Sequence, residues 1–193
     1  MDDPLTMDHM NGTAGDEPVP GPASVSPGGT GGGPPDGFVE SMAQLAAGVG
    51  VVCVRDGRDD LGVTVTALTS ISLDPPLFMV SLATASYVSE VLDRVDRWAV
   101  SLLGGSQATI ASRFASKGRP GARLLLAGTP HHRGAASEAL IVEGGVAALE
   151  CETVQRVTAG DHTLFIARVL AVPYVEDTRP PLLRLRSRYR ALS

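Results

Sequence analysis

HTLFIARVLAVPYV, residues 162–175, is apolar on both of its alternating faces: Leu164, Ile166 and Leu170 alternate with Phe165, Val169 and Ala171, and Arg168 interrupts. A strand with one solvated face would alternate apolar with polar residues, because successive side chains point to opposite sides of a sheet. Both faces here need cover. The chain has few helical stretches to supply it. A closed barrel buries one face inside and, packed against a second copy, buries the other. A homodimer is therefore expected.

Working outward, the neighbouring runs have the same β-branched character between turn residues. GVGVVCVR at 48–55, LGVTVTALTSISL at 61–73, LFMVSLA at 77–83, WAVSLLG at 98–104 and GVAALECETVQRVT at 145–158 all read as strands. PLLRLRSRYRAL at 181–192 reads as one long final strand, and the turn at AGD sets 145–158 and 162–175 antiparallel. Three helical stretches accompany them. FVESMAQLAAG spaces Phe38, Met42, Leu45 and Ala46 on one face before Gly48, SYVSEVLDRV at 86–95 opens on the N-cap candidate Ser86, and SQATIASRFAS follows at 106–116. Residues 117–145, rich in Gly, Pro, Arg and His, read as a long loop with at most one short element. The fold class is thus mainly β with a few helices.

Composition divides the 193 residues at Phe38. Residues 1–37 hold 9 of the 22 Gly, 7 of the 14 Pro, six acids, no base and no aromatic residue, so they read as a disordered acidic tail before a single domain, residues 38–193. Removing those six negative charges from the net charge of −5 leaves the domain near +1. A near-neutral body lacks the basic face that displaces counterions from phosphates, which argues against nucleic acid as a partner. No signal peptide pattern and no 18-residue apolar run occurs, so a cytoplasmic protein without a membrane span is expected. Cys53 and Cys151 each lie inside an apolar run without metal-ligand spacing and read as buried free thiols.

The chain has no GxSxG, HExxH, P-loop or strand-associated GxGxxG, and GGTGGG at 28–33 sits in the tail as linker. Two features carry chemistry. GVTVTALTSIS at 62–72 concentrates the hydroxyls of Thr64, Thr66, Thr69, Ser70 and Ser72. Singly, each is ordinary β-propensity; together with free backbone N–H groups at a strand end they suit the polar edge of a flat heterocycle or a phosphate. The second is GDH at 160–162, where Gly160 and Asp161 make a turn and His162 opens a strand. A histidine there is structural more often than functional, and its place at a strand mouth leaves both readings open.

GVTVTALTSISLDPPLFMVSLATAS, FAS at 114–116, LEC at 149–151, AGDHTLFIARV at 159–169 and the terminal RYRAL together resemble the flavin reductase-like family of short-chain NAD(P)H:flavin oxidoreductases, over residues 38–192. The resemblance implies a split β-barrel of the FMN-binding type, a homodimer, FMN or FAD together with NADH or NADPH, and reduced flavin supplied to a partner monooxygenase. It implies that Thr64, Thr66, Ala67, Leu68, Thr69 and Ser70 border the flavin ring and ribityl chain. Ser81, Leu82, Ala83 and Ser86 would approach ribityl and phosphate, Phe114 and Lys117 would lie nearby, and Gly160, Asp161 and His162 would face the nicotinamide, with His162 as catalytic residue. Arg188 and Tyr189 would close the site. The chain departs from the family pattern at Ala67 and Leu68, where Ser and an aromatic are common, at Val88 for Thr, and at Ala167 for Gly.

Two rival functions stand beside this one. A flavoprotein holding FMN permanently would act on an organic substrate near residues 117–145, and a non-catalytic barrel would store flavin or haem with His162 or the His131–His132 pair as ligand.

Overall fold

The computed structural model describes residues 33–192, so residues 1–32 of the expected tail lie outside the described residues. Helix α1, Phe38–Ala43, leads into β1 (Ala47–Gly48), β2 (Gly50–Asp56), β3 (Asp59–Val65), β4 (Leu68–Leu73) and β5 (Pro76–Ala83). Helix α2 (Tyr87–Leu92), β6 (Arg97–Leu102), α3 (Ala108–Ala115) and α4 (Ala122–Leu125) follow. The hairpin β7 (His131–Arg133) and β8 (Leu140–Val142) precedes β9 (Ala147–Ala159) and β10 (His162–Val175), and β11 (Leu182–Leu185) and β12 (Arg188–Ala191) end the chain.

One antiparallel sheet runs in the order β3-β2-β6-β9-β10-β5-β4. Its terminal strands, β3 and β4, do not pair with each other, so the barrel is split rather than closed. Three register shifts between β10 and β9 let these long strands bend around the curve. The interior is filled by Val52, Val54, Val80, Phe165 and Trp98 among others, and the indole N–H of Trp98 donates to Thr153 Oγ1 at 2.9 Å. A second core lies outside the barrel wall. There Val51, Cys53 and Ala99 are covered by Phe114 of α3, Ala122 of α4, Ile141 of β8 and Leu182 of β11.

The double apolar character of 162–172 resolves unequally. Phe165 and Ala167 are fully buried in the barrel, whereas Leu164 and Ile166 on the opposite face are half-buried and Leu170 is exposed. That outer face of β5 and β10 remains partly exposed. Cys53 and Cys151 are free, buried thiols, and burial pushes both up to about 12, which leaves neither as a nucleophile.

Three expectations need correction. The run 61–73 is two strands, because it leaves β2 after Val65 and crosses the split to pair with β5 from Leu68 onward. The run 181–192 is a hairpin turning at Arg186 and Ser187, with φ of 50° and 59°. Such turns normally announce themselves by Asn-Gly or Asp-Gly, and neither is present. The expected loop 117–145 contains α4 and the β7–β8 hairpin, and Leu140, Ile141 and Val142 are all buried.

Two buried acids hold that segment down. Asp60 of β3 accepts from Arg133 at 2.9 Å on each carboxylate oxygen and from Arg123 Nε at 2.5 Å. Burial pushes the Asp60 carboxyl up, but the hydrogen bonds from Arg133 and Arg123 outweigh it and hold the group below its ordinary range. Glu150 Oε2 accepts from the backbone N–H groups of Ala136 and Ser137 and from the Ser137 hydroxyl.

Candidate active site

The split in the barrel places the site. β4 pairs with β5 only from Val80 outward, and beyond the bond from Ser81 N to Ala67 O the β4-side edge of β5 has no strand partner. Ala83 therefore faces β3 across a gap. That gap is a cleft of about 790 Å³, with Leu61 and Gly62 on one wall, Ala83, Ser86 and Tyr87 on the other, and Lys117 and Arg119 at one side. Ser86 caps α2, its Oγ accepting from Ser89 N at 3.2 Å. Arg119 donates to Gly62 O at 2.6 Å and is half-buried; burial alone lowers its pKa. Glycine is needed at position 62, because a Cβ there would lie 2.6 Å from the Phe114 ring.

A second, shallower groove adjoins β4. Thr66, Ala67, Leu68, Thr69 and Met79 line about 370 Å³ of it together with the chain entering β1. Through Leu45, Ala47, Thr66 and Ala67 it continues into a further 240 Å³ bounded by Met42, Arg184, Arg186 and Ser187.

Strand register joins these grooves on one face. His162 pairs with Ala83, Leu164 with Ser81, and Ile166 with Met79, which in turn pairs with Thr69. Directly opposed residues share a face with Cβ atoms about 5 Å apart. His162 therefore stands beside Ala83 at the cleft mouth, in the same plane as Ser81 and Thr69. The β9–β10 turn at Gly160, φ 62°, and Asp161 delivers it there. Thr84 fastens that turn, its N–H donating to Asp161 O at 2.9 Å and its hydroxyl meeting Thr163 Oγ1 at 2.9 Å. His162 Nδ1 lies 2.8 Å from Asp161 Oδ1, and this hydrogen bond lowers the Asp161 carboxyl. With Nδ1–H donated to that carboxylate, Nε2 has no hydrogen-bond partner among the described residues.

Of the residues singled out by sequence, the structure places Thr66, Ala67, Leu68 and Thr69 on the shallow groove and Ala83, Ser86 and Lys117 on the cleft, with Ser81 and His162 on the strand face between the two and Gly160 and Asp161 in the turn beside it. Others are placed differently. Phe114 has no exposed surface and belongs to the core behind Gly62, so its ring presents nothing to a ligand. Leu82 points into the barrel core and does not line the cleft. The Thr64 hydroxyl donates to Ala111 O at 2.6 Å and holds α3. Ser70 shares the face of Leu68, away from Thr69. Tyr189 packs against the outer core while Arg188, its neighbour on the strand, points to the opposite face. Sequence reasoning missed Gly62, Arg119, Arg184, Arg186 and Ser187, which reach the grooves only through pairing of distant segments. His131 and His132 sit on β7, bonded to Thr129 O and Glu143 Oε1, and the described residues hold no group of three or more metal-ligating side chains.

Residues 42–193 match the family model described as the flavin reductase like domain. The chain belongs to that family. Among curated relatives of this flavin reductase-like protein, the NADH-dependent FMN reductase AsuE2 of Streptomyces nodosus subsp. asukaensis is 36% identical over 158 residues, covering 80% of this chain and 83% of that one. The solved structure of the NADH:FAD oxidoreductase SgcE6 of Streptomyces globisporus C-1027, in complex with NAD and FAD fragments, superposes with a TM-score of 0.73 at 28% identity, covering 79% and 89% of the two chains. The styrene monooxygenase flavin reductase SMOB of Pseudomonas putida S12 superposes with a TM-score of 0.70 at 35% identity, covering 81% and 97%. The split barrel expected of the flavin reductase-like family is the architecture found.

Proposed function

We propose that this protein oxidises NADH or NADPH and reduces FMN or FAD, releasing reduced flavin to a partner monooxygenase. The observation that carries the reading is the row Thr69, Met79, Ser81, Ala83 and His162 along one face, beside an unpaired strand edge, in a chain of the flavin reductase-like family. The names of the relatives, NADH-dependent FMN reductase and styrene monooxygenase flavin reductase, support it. A cytoplasmic setting fits the two unpaired thiols.

The residues present fit a flavin. Small side chains at Ala67 and Ala83 admit a flat ring, the hydroxyls of Thr66, Thr69 and Ser81 offer hydrogen bonds to its polar edge and ribityl chain, and Ser86 and Lys117 stand at the phosphate end. A bound flavin would supply the acceptor for a hydride from the nicotinamide, with a proton drawn from solvent and the nicotinamide released oxidised. The protein's part is positioning. The Asp161 contact occupies Nδ1 of His162 and leaves Nε2 to orient the nicotinamide amide. The backbone N–H of Ala83, at the open edge of β5, places a donor where negative charge grows on the reduced ring.

The experiment is to follow loss of NADH absorbance on adding FMN to the purified protein. No consumption above the protein-free rate overturns the reading, and a protein that stays yellow after dialysis points instead to permanently held FMN. Within the assay, His162→Ala is expected to lower kcat roughly tenfold, an order of magnitude suited to lost orientation, with little change in KM for flavin.

The half-buried Leu77, Met79, Leu164 and Ile166 on the partly exposed outer face support a homodimer through β4, β5 and β10. Light scattering after size exclusion is expected to give twice the 20.0 kDa chain mass. A stable species of one chain mass would remove the dimer from the proposal.

A further inference from the structure

We propose that Arg184 and Arg186 form an anion seat that holds the diphosphate of the pyridine nucleotide, at the far end of the trough that begins at Thr69. The proposal rests on the flavin reductase reading above and adds to it the residues that hold the charged part of the reductant.

The β11–β12 hairpin carries Arg184, Arg186, Arg188 and Arg190 within seven residues. Of the other arginines, Arg55, Arg94, Arg97, Arg123, Arg133 and Arg156 are each paired with a carboxylate, Arg113, Arg119 and Arg179 donate to backbone carbonyls, and Arg58 and Arg168 stand apart from one another without a carboxylate among the described residues. Among the described residues, none of the four hairpin arginines is paired with a carboxylate. Strand alternation then sorts them. Arg184 pairs with Ala47 and Tyr189 and shares their face, while Arg188 and Arg190 point the other way. Of the four, Arg184 and Arg186 line the trough, together with Ser187, Met42 and Leu45.

Both side chains are held in advance. The Arg184 guanidinium lies over the Tyr189 ring, 5.6 Å from its centroid, and donates to no acceptor among the described residues. Arg186 sits at φ 50° with its backbone N–H bonded to Ala43 O at 2.8 Å and its Nε to Gln44 Oε1 at 2.9 Å, which leaves its two terminal nitrogens unengaged among the described residues. Two guanidinium forks fixed by contacts that use none of their outer donors suit a phosphate group, which accepts paired N–H bonds. The trough is continuous through Leu45, Ala47, Thr66 and Ala67 to the groove proposed for the ring, so a nucleotide can lay its planar end at one end and its anionic part at the other. The flavin phosphate is assigned elsewhere, to the cleft of Ser86 and Lys117, which shares no lining residue with this trough.

The test is the double variant Arg184→Gln/Arg186→Gln, assayed with NADH against either FMN or riboflavin, and titrated calorimetrically with ADP-ribose. KM for NADH is expected to rise about tenfold or more with kcat within about twofold, equally with both acceptors, and ADP-ribose affinity to fall in parallel. Arg190→Gln removes the same charge from the opposite face of the hairpin and is expected to shift neither quantity. An unchanged KM and ADP-ribose affinity would overturn the seat, and so would a shift seen with FMN but absent with riboflavin, which would hand it to the flavin phosphate. If the double variant melts early, Arg184→Gln alone carries the test, because that side chain donates no hydrogen bond within the described fold. A wild-type protein inert toward NADH sinks the functional reading; an active wild type with an unshifted variant sinks the seat alone.

Discussion

Asp60→Ala is expected to lower the unfolding free energy by about 3 kcal/mol, toward the low end of the range for removing one partner of a buried ion pair. The Asp60 side chain is 1% exposed and is bridged by Arg133 and Arg123. The two arginines left behind are partly solvated, the Arg123 side chain being 65% exposed, which keeps the cost below the upper end. For a domain of this size the loss corresponds to a fall in Tm of about 6–12 °C. The effect is pH-dependent with a definite sign. The folded carboxyl titrates below its unfolded value, so its contribution is complete above the ordinary carboxylate range and disappears as pH falls through the folded value. Melts of wild type and variant should therefore converge in acid; a gap that stays constant down to pH 2 would contradict the pairing. Because Asp60 adjoins the Leu61 and Gly62 wall of the cleft and its partners lie on the segment that carries Lys117 and Arg119, the variant is also expected to raise KM for flavin.

Phe114→Ala is expected to cost about 3–5 kcal/mol, the range for emptying an aromatic site in a packed core. The ring is entirely buried and fills the space beside Gly62, where even a methyl group would collide with it. Phe114→Leu, which keeps most of the volume, should cost less. The discriminating measurement is the comparison of melting with flavin kinetics for Phe114→Leu: the loss should appear in Tm, with KM for flavin little altered. A large rise in KM at near-normal Tm would return Phe114 to direct ligand contact.

The readable part of the fold was the part encoded in short-range pattern. β-Branched runs located β2, β5, β6, β9 and β10, and Ser86 marked the start of α2, because alternation and capping involve neighbours in the chain. The break inside 61–73 was hidden. Thr66 and Ala67 carry no turn chemistry, and the strand ends there because its continuation pairs with the opposite edge of the sheet. The hairpin at Arg186 and Ser187 was hidden for a related reason: two residues without glycine adopt positive φ, supported by the bonds of Arg186 to Ala43 and Gln44. Within the site, GDH and the hydroxyl run were legible as motifs, yet the same motifs did not reveal that the Thr64 hydroxyl is taken by Ala111 or that Phe114 is sealed in the core.

Taken alone, the order of residues determined the strands, the two apolar faces of β10, the turn that presents His162 and the inert character of both thiols, since each follows from local periodicity or from the company of adjacent side chains. Tertiary structure decided the rest. Asp60 meets Arg123 and Arg133 across 63 and 73 residues, and Arg184 joins Thr66 in one trough only because β11 pairs with β1. Such meetings depend on which edges the split barrel leaves facing one another, and that is set by the packing of the whole sheet around Trp98 and Phe165.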